Sequence, residues 1–166
     1  ITGAITKAFV GEEESSNLVT EEDLKTIVDV SEEQGVINNE ESEMINNVFE
    51  FGNSYVADIM TARTNMEAIS IESTPEELND MLKETNHSRI PVYGKNIDNI
   101  VGILHMKDIV SNIADGKDLV LEELIRPAYY VYDNMHIFDL FTNMRGENVS
   151  LAIVIDEYGG TSGLVT

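Results

Sequence analysis

Apolar positions along this chain follow two periods, and the switch between them divides it. Up to Phe51 the period is helical. In "VTEEDLKTIVDVSEEQG" the residues Leu24, Ile27 and Val28 make one face, Thr20 stands as N-cap with Asp23 close to a capping-box position, Val19 and Leu24 form a staple, and Gly35 terminates. In "NNEESEMINNVFEFG" a second stripe, Met44, Ile45, Val48 and Phe49, predicts a helix closed by Gly52. From Val56 the runs shorten and alternate. "MEAISI" reads as a strand, and "TPEELNDML" as a helix with Thr74 as N-cap, Pro75 in its first position, Glu77 completing a capping box and Leu78, Met81 and Leu82 on one side. "RIPVY" and "NIVGIL" read as strands about the turn "GKNID". "MKDIVSNIADG" is predicted to be a helix that buries Met106, Ile109, Val110 and Ile113 and ends at Gly116.

This order, strand, helix, strand, strand, helix, then starts again. "PAYYVYD" takes the place of "MEAISI", "MHIFDLFTNM" that of "PEELNDML", "SLAIVID" that of "SRIPVY" and "GLVT" that of "GILH". Ser88 and Ser150 are 62 residues apart and Gly102 and Gly163 are 61 apart, so the register holds to one residue. A period this long, occurring twice, indicates a duplicated small domain rather than a solenoid. Neither copy alone is large enough to build much core, so the two must pack together.

Composition narrows the function. With 31 acidic and 10 basic residues the formal charge is -21, which repels nucleic acid and anionic lipid. Nucleic-acid binding is excluded on that ground. The absence of Cys removes disulfide and thiolate chemistry and fits a reducing compartment. No apolar run reaches the ~18 residues of a membrane span. The acidic helices before Val56 read as a solvated face rather than a metal site, and His87 and His136 have no partner at metal-ligand spacing. There is no nucleophile with an adjacent base, no G-x-x-x-x-G-K-[ST] loop and no zinc signature, so catalysis is not expected. The first residues, "ITGAITKAFVG", carry neither an initiating Met nor a signal peptide, and both ends read as cuts inside a longer protein.

The duplicated unit, with "HSRIPVY" and "NIVGILHMKD" in its first copy, resembles a CBS domain pair. Together with "IMTARTNMEAI", an acidic stretch ending "EMINNVFEFG" and "LAIVIDEYGGTSGLVT", it is similar over nearly the whole chain to the cytosolic region of the CorC/HlyC-like, hemolysin-related family of magnesium and cobalt transporters. The resemblance implies an α+β fold, a tandem CBS domain pair of two β-α-β-β-α repeats behind an acidic helical linker. The expected divisions are a juxtamembrane linker at 1–55, repeat 1 at 56–118 and repeat 2 at 119–166. It also implies a membrane domain before Ile1, a final helix after Thr166 whose Asp completes the nucleotide motif, and commonly a small accessory domain. "ITGAITKAFVG" is then the connector, the location is the cytoplasmic face of a membrane, and the pair associates as a homodimer through its helices.

The implied ligand is an adenine nucleotide, ATP or AMP, with Mg2+ accompanying its phosphates and no metal held tightly by protein groups. Its physical basis is the run Gly163, Leu164, Val165 and Thr166: a strand end turning into a helix brings a hydroxyl and free backbone N–H groups to one point. The expected site takes Thr61 and Ala68 from "TARTNMEA", Ser88, Arg89, Ile90 and Pro91 from "SRIPV", and Gly163 and Thr166. Ile90 and Pro91 would flank the adenine and Arg89 would meet phosphates. Each has a plainer role open to it: Ile90 and Val92 alternate as core residues, Arg89 can pair with a surface carboxylate, and Thr166 can be a helix cap. A possible second site contains Gly102, His105 and Asp108, with His105 where the second copy has Thr166. Two functions remain open: a regulatory module that passes nucleotide occupancy to an attached transporter, or a structural dimerisation module with no ligand.

Overall fold

The computed structural model describes residues 19–117 and 119–166, and the chain parts into two compact units at Phe49/Glu50. The expected connector at residues 1–11 lies outside the described residues. The first unit carries α1 (Glu21–Glu33) and the start of α2 (Asn39–Asn53). The capping box forms: the Thr20 hydroxyl accepts from the Asp23 amide at 3.2 Å, and the Asp23 carboxylate accepts from the Thr20 amide at 2.9 Å. That bonding holds the Asp23 carboxyl below its ordinary range. Gly35 follows α1 with φ 71°, a left-handed conformation suited to glycine. α1 buries none of its residues, with Ile27 59% exposed. One expectation needs correction: α2 continues through Gly52 instead of stopping there.

The second unit runs α3 (Val56–Ile59), β1 (Thr61–Ala62), a 3-10 turn (Arg63–Asn65), β2 (Ile69–Ser70), α4 (Pro75–Glu84), β3 (Arg89–Tyr93), β4 (Ile100–His105) and α5 (Met106–Ala114). It continues with α6 (Leu121–Leu124), β5 (Ile125–Arg126), β6 (Tyr130–Tyr132), α7 (Ile137–Gly146), β7 (Ala152–Ile155) and β8 (Thr161–Val165). α4 starts as predicted, with Thr74 and Glu77 exchanging cap bonds and Pro75 in the first turn. The fold is the expected α+β pair of repeats, and every strand read from alternation is present.

The sheets, however, are not each made from one repeat. Their orders are β1-β8-β7-β6 and β2-β3-β4-β5, so β1, which leads into the first repeat, completes the sheet of the second, and β5 does the reverse. The short helices follow the same exchange. Val56 of α3 packs with Val131, Leu140, Ala152 and Val154 of the second repeat, while Leu121 of α6 packs with Leu78, Ile90 and Leu104 of the first. β1 and β5 lie outside every segment read as alternating, so the periodicity of the sequence does not reveal them.

Each sheet shows one face to its helices and the other to the facing sheet. Along β3, Ile90 and Val92 point toward α4 and α5. Ile100, Ile103, Leu151 and Ile153 fill the seam between the sheets. Tyr130 of one sheet donates its hydroxyl across that seam to the Ile100 carbonyl of the other at 2.8 Å, and burial raises its pKa. On α5 only Ile109 is fully buried; Val110 and Ile113, expected in the core, are 61% and 57% exposed. Val110 lies about 100° around the helix from Ile109, and Ile113 falls in the last turn.

Candidate functional site

The exchange makes the two repeats equivalent about the seam. Arg126 stands opposite Ile103 as Thr61 stands opposite Leu164. Both crossings need glycine in the receiving strand. A Cβ at Gly163 would lie 2.3 Å from the Thr61 carbonyl oxygen, and one at Gly102 would lie 2.8 Å from that of Arg126. These two glycines, chosen from the sequence for a phosphate motif, are thus also the points where a strand from the other repeat passes.

The largest difference between the repeats is an insertion ahead of β2. Thr61 and Arg126 are 65 residues apart but Ile69 and Val131 only 62, and the three extra residues are the turn Arg63–Asn65. Arg63 grips the Asp98 carboxylate with both terminal nitrogens, and Asp98 also accepts from the Thr161 amide at 3.3 Å. The β3–β4 turn of the first repeat is thereby tied to the start of β8 in the second.

Of the expected nucleotide residues, Thr61, Ser88, Arg89 and Thr166 are exposed, Ala68 is half-buried, and Ile90, Pro91 and Gly163 are buried. The strand ladders bring Thr61 opposite Leu164, next to Gly163, and Arg89 opposite His105; Arg89 lies in the sheet of β3, and Thr166 directly follows β8 of the other sheet. Ile90 turns to the helices, and Pro91 lies opposite Ile103 on the seam side of β3.

A cleft of about 550 Å3 opens at the His105 end of the seam. Ile103 and Leu151 line it, with Arg89, His105 and Lys107 from the first repeat, Arg126, Pro127 and Tyr129 around β5, and Met144, Arg145, Asn148, Val149 and Ser150 from the end of α7 and the link to β7. Arg89 is the cross-strand partner of His105, and Arg126 sits on the next strand opposite Ile103, so three neighbouring strands deliver their polar ends together. Arg126 is engaged by Asp108, with Nε and Nη2 donating to its two carboxylate oxygens at 2.9 Å each. Burial and then the Arg126 and Arg89 charges hold the His105 pKa below its ordinary value, with Lys107 adding to them and Asp108 opposing. His105 also occupies the N-cap position of α5 without a side-chain capping bond.

Sequence reasoning put His105 and Asp108 in a possible second site but did not find Lys107, Arg126, Arg145 or Tyr129. The signal available was the pairing of each repeat's lead segment with the other's sheet, and it needed the fold. Among the described residues no group of three or more His, Asp or Glu is placed to hold a metal ion, and no helix is long and apolar enough to cross a membrane.

The CBS domain family profile matches residues 56–115. The chain is 35% identical over 158 residues to the UPF0053 protein YugS of Bacillus subtilis, covering 95% of this chain and 37% of that protein; it therefore spans a little over a third of the curated relative's length. It is 40% identical, with a TM-score of 0.77, to a solved structure of the CBS domain of a bacterial CNNM/CorC family Mg2+ transporter, covering 90% of this chain and 92% of that one. A structure of such a domain in complex with ATP is 38% identical, with a TM-score of 0.68, and covers 76% of this chain and 91% of its own.

Proposed function

Since the chain belongs to the CBS domains of the CNNM/CorC family of Mg2+ transporters, we propose that it is the regulatory module of such a transporter, binding an adenine nucleotide between its repeats. The module is a sensor and not a catalyst. The nucleotide is ATP or AMP, with Mg2+ neutralising its phosphates, and the attached membrane domain moves divalent cations, magnesium with cobalt, from the cytoplasmic side. The site is the one expected from Thr61, Ala68, Ser88, Arg89, Ile90, Pro91, Gly163 and Thr166.

One observation carries this reading: β1 of the first repeat is a strand of the second repeat's sheet, with Thr61 against Leu164 and Ala62 against Gly163. This pairing supports a site shared by the repeats, since a ligand held by Thr61 and Thr166 would touch both halves. Only a ligand with different affinity for two arrangements of the pair can shift a transporter, and a bridging position supplies that difference. The ATP complex of a similar domain supports the choice of ligand.

Calorimetric titration with ATP, with and without magnesium, tests it. Saturable heat that weakens about tenfold in Thr166→Val, where a hydroxyl contact to a charged group is lost, is the expected result. The alternative, a dimerisation scaffold without a ligand, draws on the apolar surfaces of α5 and α7, where Val110 is 61% and Phe138 60% exposed. A sedimenting dimer that gives no heat with ATP would establish the scaffold and overturn the sensor.

A further inference from the structure

We propose that Arg63 is a positioning residue for the module: by clasping Asp98 it fixes β1 and β8 against the β3–β4 turn of the first repeat. β1 carries Thr61 and β8 leads to Thr166, so nucleotide affinity depends on that hold. The link to affinity rests on the nucleotide reading above, while the clasp itself does not.

The clasp joins parts of the chain that are distant in sequence. Arg63 and Asp98 are 35 residues apart, and Asp98 and Thr161 are 63 apart. By contrast Lys25 pairs with Glu21, Lys83 with Asp80 and Lys117 with Asp115, each serving its own helix or turn. The Asp98 carboxylate takes both terminal nitrogens of Arg63, and its Oδ1 also accepts from the Thr161 amide. Thr161 is buried, 3% exposed, where an amide left without an acceptor is costly. A guanidinium fork on a carboxylate fixes direction as well as distance.

Local structure on each side presents the pair. β1 runs antiparallel to β8, with Thr61 opposite Leu164 and Ala62 opposite Gly163, so the next residue, Arg63, reaches toward Thr161, where β8 begins. The 3-10 turn holds it there, with the Met66 amide donating to the Arg63 carbonyl at 3.3 Å. Asn96 shapes the facing turn: its side-chain oxygen accepts from the Asp98 amide at 3.0 Å and its carbonyl from the Asn99 amide at 2.9 Å. Two residues after Asp98, the Ile100 carbonyl accepts the Tyr130 hydroxyl. The same turn is thus also held from the sheet of the second repeat.

The duplicated fold does not itself demand this fastening. The three inserted residues that carry Arg63 have no counterpart between β5 and β6. In the second repeat the β7–β8 turn spends its carboxylate on itself, Asp156 accepting from the amides of Tyr158 at 2.9 Å and Gly160 at 2.7 Å. The side chains of Arg63 and Asp98 are 40% and 39% exposed, so salt screens the pair and its hold is modest. A clasp that opens at small cost can be shifted by a ligand with only a few-fold preference for one arrangement.

The chain has no cysteine, so spin labels attached through Lys95→Cys and Glu157→Cys, both at exposed turn positions, report the separation of the two turns by double electron-electron resonance. The expected result is a narrow distance distribution that broadens in Arg63→Gln and in Asp98→Asn, which keeps an oxygen for the Thr161 amide and so isolates the charge. Arg63→Lys, with the charge but not the fork, should broaden it less. Raising the salt to about 1 M should broaden the distribution of the parent chain but not that of Arg63→Gln. Calorimetry should find ATP affinity lowered roughly three- to fivefold in Arg63→Gln, with partial recovery in Arg63→Lys; thermal melting checks that each variant folds. Distances unchanged in both Arg63→Gln and Asp98→Asn overturn the clasp, and changed distances with unchanged ATP affinity overturn the positioning role. A parent chain that gives no heat with ATP ends the nucleotide reading alone, and the distances still decide the clasp.

Discussion

At the scale of single residues, His105 shows how position outweighs identity. On the sequence it is a bulky substitute for a threonine; in the fold it sits among Arg89 on β3, Arg126 on β5 and Lys107 on α5, with Asp108 the opposing acid and Arg145 and Tyr129 facing from the second repeat. Burial and those cations lower its pKa from the model-compound value of 6.5. The unfolded chain therefore binds the proton more readily than the folded one, and stability rises with pH through the window from the lowered folded value up to about 6.5. Above that window both states are neutral and the contribution is constant. His105→Gln removes this dependence, so its melting temperature should fall less than that of the natural chain between pH 7.5 and 5.5. Parallel declines would show that His105 carries no part of the acid sensitivity.

At the scale of elements, the decisive feature is the exchanged lead segments. Leu121 belongs to the second repeat in sequence but is buried in the core of the first, 5% exposed. Leu121→Ala should cost about 2–5 kcal/mol, as for other buried leucines. Native-state hydrogen exchange should show the loss first at the amides of Ile90 and Leu104, not at Val154; protection lost first at Val154 would contradict the exchange. This is also where legibility ended. The start of α4 is readable to the residue because Thr74, Pro75 and Glu77 each bear a local signal, and the strands of "RIPVY" and "LAIVI" because alternation is a local property. β1 and β5 owe their existence to a distant partner, as do the burial of Pro91 and the convergence of Arg126 and Arg145, and no local pattern records them.

At the scale of the molecule, two copies of one small unit share three apolar clusters, one of which belongs to the seam between them. Each repeat alone would lose its borrowed strand, its borrowed helix and the seam. Residues 56–118 expressed alone should therefore show no cooperative melting, whereas residues 50–166 should melt in one transition. A cooperative, independently folded first repeat would mean that the exchange is dispensable. The same sharing explains how a net charge of -21 coexists with a cationic cleft: the basic side chains come from β3, α5, β5 and α7, and no one segment of the sequence is basic.

The path of the chain into the second unit has a mechanical outcome. Ser54 to Ala57 hydrogen-bond to the stretch from Asp133 to Ile137, with the Val56 amide donating to the Met135 carbonyl at 2.9 Å and the Ile137 amide to the Ser54 carbonyl at 3.0 Å, and Val56 is anchored beneath β7. Traction applied at Ser54 is thus delivered first to the distal half of the duplication, bypassing the half that comes next in sequence. A tug on this tether and a ligand wedged at either end of the seam would strain the same few strands.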